Sequence, residues 1–317
     1  MSDFALLSQL GRGSTSVVYR CRHLPTATDF ALKCIPVAGD ESRRQAYLRE
    51  IAALQVSCSG MISCQGCFIH EDSLYLVLQL MEGGSLEGLL RSRGVLPERV
   101  ACALAYQLFW CLARLRNAHL LHRDVKPSNV LLSLQGAVRL GDAGLAREGS
   151  SVAQEHSFVG TFLYMAPERL QQEPYAFPAD VYGVGLCIVQ AVLGRFPLSE
   201  EGSSYVDTLM ALLEAPPFTF PPNGTPLAGA AAAAGGGGGG EKAPAAALHL
   251  SPSFRELFEA CVARQPAQRP TAEAALLSPL FAANGITDRH ASEEVLRVFL
   301  GGPKVPSPDP STLLELI

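Results

Sequence analysis

Asp124, Lys126 and Asn129 fall within six residues of one another, in His122-Arg123-Asp124-Val125-Lys126-Pro127-Ser128-Asn129, directly after an apolar segment. A carboxylate, an ammonium and an amide at that spacing suit phosphoryl transfer. The carboxylate serves as base for a hydroxyl, the cation faces the migrating phosphoryl group, and the amide oxygen can ligate a metal. A second acidic residue follows in Leu140-Gly141-Asp142-Ala143-Gly144. Asp124 is expected to orient the accepting hydroxyl, Lys126 to neutralise a γ-phosphoryl group in transit, and Asn129 with Asp142 to hold Mg2+. The bland alternative is a polar turn between helix and strand, and eight residues in this order are too specific for it.

Further residues upstream and downstream fit the same chemistry. Gly11-Arg12-Gly13-Ser14-Thr15-Ser16-Val17-Val18 lies between two expected strands, so Gly11 and Gly13 let a hairpin lie close over phosphates while Val18 packs on an adenine ring. A dinucleotide fingerprint is disfavoured, because a strand and not a helix follows. Lys33, in Ala31-Leu32-Lys33, sits between apolar residues on a strand and needs an anionic partner. Glu50, 17 residues on, and the α/β-phosphates of a nucleotide are the candidates. Glu168, in Ala166-Pro167-Glu168, is expected to pair with Arg269 of Gln268-Arg269-Pro270-Thr271. Asp180, in Ala179-Asp180-Val181-Tyr182-Gly183, is expected to brace the backbone around Asp124.

The elements that must position these residues show in the apolar periodicity. Phe4 to Leu10, Val17 to Cys21, Phe30 to Ile35 and Leu74 to Leu80 read as strands, and 41–55 as a helix with Tyr47, Ile51 and Leu54 on one face. Glu82-Gly83-Gly84-Ser85 breaks the chain, with Ser85 a candidate cap for a helix from Leu86. A long helix is expected over 97–119, carrying Val100, Leu104, Leu108 and Leu112, with Pro97 in its first turn. The pattern is α+β and bilobal: a small β-rich lobe over 1–80 and a larger helical lobe over 81–285, with a nucleotide site in the cleft between them. Residues 286–317 are expected to be a tail, Pro-rich from 301. Within the larger lobe, 221–247 turns to Pro, Ala and Gly runs that cannot bury a core, so it reads as a disordered insertion.

Composition narrows the class further. The 317 residues carry a net charge of −5 with scattered basic residues, which disfavours nucleic acid as a partner. No apolar run is long enough to span a bilayer, and Met1-Ser2-Asp3-Phe4 begins no secretory signal. Nine cysteines, several inside apolar stretches, fit reduced buried thiols in an intracellular protein, cytoplasmic with nuclear access. Cys64 and Cys67 form one C-x-x-C, and two further zinc ligands at a familiar spacing are missing.

Over about residues 4 to 285 the chain resembles the protein kinase superfamily, and more narrowly the MAP kinase kinases of plant and green-algal type. The resemblance rests on His122 to Asn129, on Ser157-Phe158-Val159-Gly160-Thr161, on Tyr164-Met165-Ala166-Pro167-Glu168-Arg169-Leu170, on Gly194-Arg195-Phe196-Pro197, and on Met81-Glu82-Gly83-Gly84-Ser85-Leu86 after the hinge. It implies an ATP- and Mg2+-dependent dual-specificity kinase, with Met81 at the nucleotide, a MAP kinase as substrate and a MAP kinase kinase kinase upstream. Asp-x-Lys-Pro-x-Asn favours the Ser/Thr type of catalytic loop over the tyrosine-kinase type. Ser151 and Ser157 match the plant-type five-residue spacing of the two activating hydroxyls, while Ala153 stands where the animal-type spacing needs one. Phosphate on them would add roughly −1.5 to −2 charges each and could dock on Arg123.

Three departures stand out. Ser16 replaces a third glycine, which the family tolerates. Ala143 replaces a phenylalanine that packs between lobes, a cavity worth about 3–5 kcal/mol by analogy with core Phe→Ala changes. Only ten residues precede Gly11, where the family's basic docking segment usually lies upstream. The alternatives are another Ser/Thr kinase of the same cascade group, or a weakly active kinase or pseudokinase scaffold, for which Ala143 is the only support.

Overall fold

In a computed structural model, residues 3–13, 16–36, 58–141, 162–198, 205–214, 216–227 and 247–303 are described. Glu50, Asp142, Ala143, Ser151, Ser157 and the expected helix at 41–55 lie outside them.

The smaller lobe contains β1 (Phe4–Arg12), β2 (Val17–His23), β3 (Thr28–Pro36), β4 (Cys64–His70) and β5 (Ser73–Gln79). They form one antiparallel sheet in the order β1-β2-β3-β5-β4, which puts β3 and its Lys33 in the centre. One face carries Ala31, Ile35, Leu74, Leu76 and Leu78 and meets Ile62, Met81 and Leu131. The other carries Cys21, Leu32 and Val77 beneath Phe4, Phe30, Phe68 and Tyr75. The sequence pattern gives no strand at Cys64–His70. Pairing with β5 makes one there, with a bulge between Cys64 and Gly66.

Ser85 caps α1 (Leu86–Arg93), its Oγ accepting the Gly88 N–H at 3.2 Å. Gly84–Ser85 (β6) also pairs with β7 (Val130–Leu132), which pairs with β8 (Val138–Leu140). The lobes are joined at β8: Leu140 N–H donates to Gly60 O at 2.9 Å, and Ile62 N–H to Leu140 O at 2.8 Å. The expected long helix is α2 (Glu98–Asn117), with Pro97 one position earlier than expected, as its cap. It packs against α4 (Pro178–Leu193), which follows the short α3 (Pro167–Leu170). Helix α4 is buried nearly all round, as its apolar composition requires. Beyond it lie α5 (Tyr205–Glu214), α6 (Pro252–Cys261), α7 (Ala272–Leu276) and α8 (Pro279–Ala283).

Two boundaries need correction. Residues 221–227, expected within the disordered insertion, are built into the lobe: Asn223 exchanges two hydrogen bonds with Leu250, and Arg255 Nη1 donates to Pro221 O at 2.8 Å. The side chain of Asn223 satisfies backbone groups that the low-complexity composition disguises. Residues 286–303, expected as tail, include α9 (Arg289–Leu300), packed on α2 with Ser292, Leu296 and Arg297 buried. Asp288 caps it by accepting the Ala291 N–H at 2.8 Å. Its apolar stripe of Val295, Leu296, Phe299 and Leu300 packs on the core, and the Pro-rich stretch that follows disguises it in the sequence. Among the described residues no helix is long and apolar enough to cross a membrane.

If α9 belongs to the core, Leu296→Ala, at a fully buried side chain, should cost about 2–5 kcal/mol in chemical denaturation. A loss near zero would return α9 to the tail.

Candidate active site

The loop from His122 to Asn129 has an uncommon backbone. Arg123 has φ +68°, a left-handed conformation costly for a residue with a Cβ. Asp180, buried near the start of α4, holds it there. Its Oδ2 accepts the His122 N–H at 2.7 Å and its Oδ1 the Arg123 N–H at 2.9 Å. The expected brace is therefore present. Helix α4 can approach this closely because of Gly183: a Cβ there would lie 2.9 Å from the Val125 Cβ and 3.0 Å from its carbonyl oxygen.

His122 is fully buried and ties the loop to the segment leading to Asp142. Its Nε2 lies 3.0 Å from Gly141 O, and its Nδ1 accepts the Asp124 N–H at 3.3 Å. A carbonyl on one side and an N–H on the other select the neutral Nε2–H tautomer. Gly141 N–H donates in turn to Asn129 O at 2.8 Å.

The three residues singled out by spacing converge on one oxygen. Lys126 Nζ is 3.0 Å from Asp124 Oδ2, and Asn129 Nδ2 donates to that same oxygen at 2.9 Å and to Asp124 O at 2.8 Å. Asp124 Oδ1 and Asn129 Oδ1 accept no hydrogen bond from the described residues. One carboxylate oxygen and one amide oxygen thus keep lone pairs that no described donor uses, a set that suits a proton acceptor beside a hard-cation ligand. A 3-10 turn at Pro127–Asn129 sets this geometry by bringing Asn129 back towards Asp124.

Lys33 stands beside Val18 on one side and Leu76 on the other, on the sheet face that looks towards β7. A strand with neighbours on both sides rules out the solvent-facing edge lysine. Its expected partner Glu50 lies outside the described residues. Val18 and Met81 belong to one apolar cluster with Ala31 and Leu131, drawn from both lobes. Sequence reasoning missed Leu131. Its signal was the position two residues past Asn129, where β7 turns a side chain up to the sheet. Gly13 N–H donates to Ser16 O at 2.8 Å, closing the hairpin that carries Gly11. Cys64 and Cys67 lie on β4, Cys64 packed against the same apolar cluster as Val18 and Met81 and Cys67 exposed.

Helix α3 is braced by a second buried interaction, the expected pairing of Glu168 with Arg269. Arg269 donates from Nη1 and Nη2 to Glu168 Oε1 and Oε2 at 2.7 and 2.8 Å. Its other N–H groups reach Ala263 O, Pro178 O and Arg264 O, so all five are satisfied. The guanidinium also lies 4.8 Å above the Tyr182 ring, whose hydroxyl burial pushes up to about 12. Next to Asp124, a recess is lined by Arg123, Tyr164, Met165, Arg169 and Ala179. Arg123, the expected dock for phosphoserines, borders it, while Ser151 and Ser157 lie outside the described residues.

The chain matches the Protein kinase domain family over residues 4–281. It is similar to "Mitogen-activated protein kinase kinase 1c" of Physcomitrium patens, 29% identical over 303 residues, covering 92% of this chain and 80% of that one. "Mitogen-activated protein kinase kinase 3" of Arabidopsis thaliana is 32% identical over 284 residues, 87% of this chain and 49% of its own length. "Mitogen-activated protein kinase kinase 1" of the same plant is 32% identical over 231 residues, 70% and 65%. The chain thus spans about half to four-fifths of these relatives.

Removing Glu168 strands a buried guanidinium. Glu168→Ala should cost about 3–5 kcal/mol in urea unfolding. A loss below about 1 kcal/mol would mean that water reaches and satisfies Arg269.

Proposed function

Since the chain belongs to the protein kinase family, we propose that it is a dual-specificity MAP kinase kinase, transferring phosphate from ATP to Thr and Tyr of a MAP kinase activation loop. The observation that carries the chemistry is the convergence of Lys126 and Asn129 on Asp124 Oδ2, which leaves Oδ1 to the incoming hydroxyl. The relatives named above support the substrate class.

ATP would supply the phosphoryl group, and Mg2+ would neutralise its charge. Val18, Ala31, Met81 and Leu131 hold the adenine, and Gly11 and Gly13 let the hairpin lie over the phosphates. Lys33 faces the α/β-phosphates and takes Glu50 as its partner. Asn129 Oδ1 and Asp142 are the metal ligands; the fixed Asn129 amide nitrogen, which forces its oxygen outward, supports that assignment. Asp124 Oδ1 receives the proton as the hydroxyl oxygen bonds to phosphorus and the bond to the departing diphosphate breaks. Lys126, held beside Asp124, offsets negative charge on the moving group. Ser151 and Ser157 are the sites an upstream MAP kinase kinase kinase would phosphorylate. The two lobes meet near residue 80, and the compartment is cytoplasmic.

The test is transfer to a panel of catalytically inactive MAP kinases, read by phosphosite mass spectrometry. Phosphate on both Thr and Tyr of a Thr-x-Tyr loop is expected. Phosphate confined to unrelated Ser and Thr sites would move the chain elsewhere in the cascade. Nucleotide binding without transfer, even with Ser151→Asp and Ser157→Asp, would make it a scaffold. Lys33→Met should abolish transfer, by 10²-fold or more, if its charge acts on the phosphates. Full activity in that variant would remove Lys33 from the site.

A further inference from the structure

Arg169, in α3, makes a contact that the kinase reading leaves unexplained. Its Nη1 donates to the carbonyl oxygen of Arg123 at 2.5 Å. That carbonyl belongs to the peptide joining Arg123 to Asp124. Rotation of this peptide changes ψ of Arg123 and φ of Asp124 together, so whatever holds its oxygen also aims the Asp124 side chain. Asp180 holds the N–H of Arg123 but does not touch this carbonyl. With Arg123 left-handed at φ +68°, the peptide tends to relax unless it is held at both ends.

Arg169 is itself well fixed for this task. Its guanidinium lies 4.8 Å over the Tyr175 ring, which limits its rotation. Among the described residues it has no carboxylate partner within ion-pair distance, so its charge is directed at a backbone oxygen and a ring. It follows Glu168 in sequence, and Glu168 is locked to Arg269 in the core. A continuous chain of contacts therefore runs from Arg269 through Glu168 and α3 to Arg169, then to Arg123 O and Asp124. Arg169 also lines the recess beside Asp124, so it stands where the substrate side meets the base.

We propose that Arg169 is a positioning residue for phosphoryl transfer: by holding the Arg123 carbonyl it orients Asp124, and it makes the base sensitive to the placement of α3. The proposal rests on the kinase reading for its kinetic consequence but not for its structural one. The side chain acts through the peptide and needs no contact with either reactant.

The test uses the full chain in two measurements. Arg169→Met keeps length and helix preference but removes the donor, and Arg169→Lys restores a donor. In steady-state transfer, Arg169→Met should lower kcat about tenfold, the scale of one charge-assisted hydrogen bond, with KM for ATP unchanged. Arg169→Lys should recover most of it. Hydrogen exchange by mass spectrometry should show amides in residues 120–126 exchanging at least about tenfold faster in Arg169→Met, with exchange in α2 and α4 unchanged. Unaltered exchange at 120–126 overturns the proposal, as does an active wild type whose kcat survives Arg169→Met. A loss that Arg169→Lys does not rescue also overturns it. An inactive wild type in which the exchange effect is present would refute the kinase reading and leave the latch standing.

Discussion

A single carboxylate, Asp180, underlies this active site. By accepting two consecutive backbone N–H groups it keeps Arg123 in a conformation that an unsupported chain would leave. Everything that follows in the loop is referred to that turn. His122 is buried by it, Asp124 points outward from it, and the 3-10 turn that returns Asn129 starts from it. The interaction works because Asp180 is on a buried helix, so its charge is little screened and its position is set by packing and not by its own rotamers. Gly183, one turn further on, lets the loop lie against the helix. A methyl group there would push Val125 away and carry the loop with it.

The second fixed point, Glu168 with Arg269, does for α3 what Asp180 does for the loop that carries Asp124. Ion pairs this deep often contribute little net stability, because desolvation offsets attraction. Here every guanidinium N–H has a partner, so the gain is positional: α3, the segment after residue 261 and the start of α4 are pinned to one another. The two fixed points are joined by one contact, from Arg169 to the Arg123 carbonyl. The loop of Asp124 and helix α3 are thus mechanically one unit, built from elements far apart in sequence.

Several of the contacts in the candidate site were legible in the sequence. Asp124, Lys126 and Asn129 are close in sequence, so their convergence needs only a turn, and Pro127 fixes that turn. Glu168 with Arg269, and Asp180 with the loop, were also legible, through motif order. Other features were hidden for physical reasons. Strand β4 has little intrinsic strand character and exists because β5 offers it a ladder. Helix α9 carries an apolar stripe of Val295, Leu296, Phe299 and Leu300, but nothing local in that stripe says that it closes on α2. The structured stretch at 221–227 is held by the Asn223 side chain, which composition counts only as a turn former. Leu131 and Arg169 gave weak signals, since the role of each depends on a partner in another element.

The sequence by itself determined which groups stand close together, a carboxylate, an ammonium and an amide within six residues, and that strands precede helices around them. Residue type and local spacing suffice for that, because reactivity belongs to side chains and short turns to neighbouring residues. Only the tertiary structure decided how those groups are aimed. The left-handed Arg123, the contacts of Asp124 Oδ2, the Nε2–H form of His122 and the grip of Arg169 on the loop all depend on contacts made across the fold. Such contacts are set by packing between elements, and no local pattern in the chain records them.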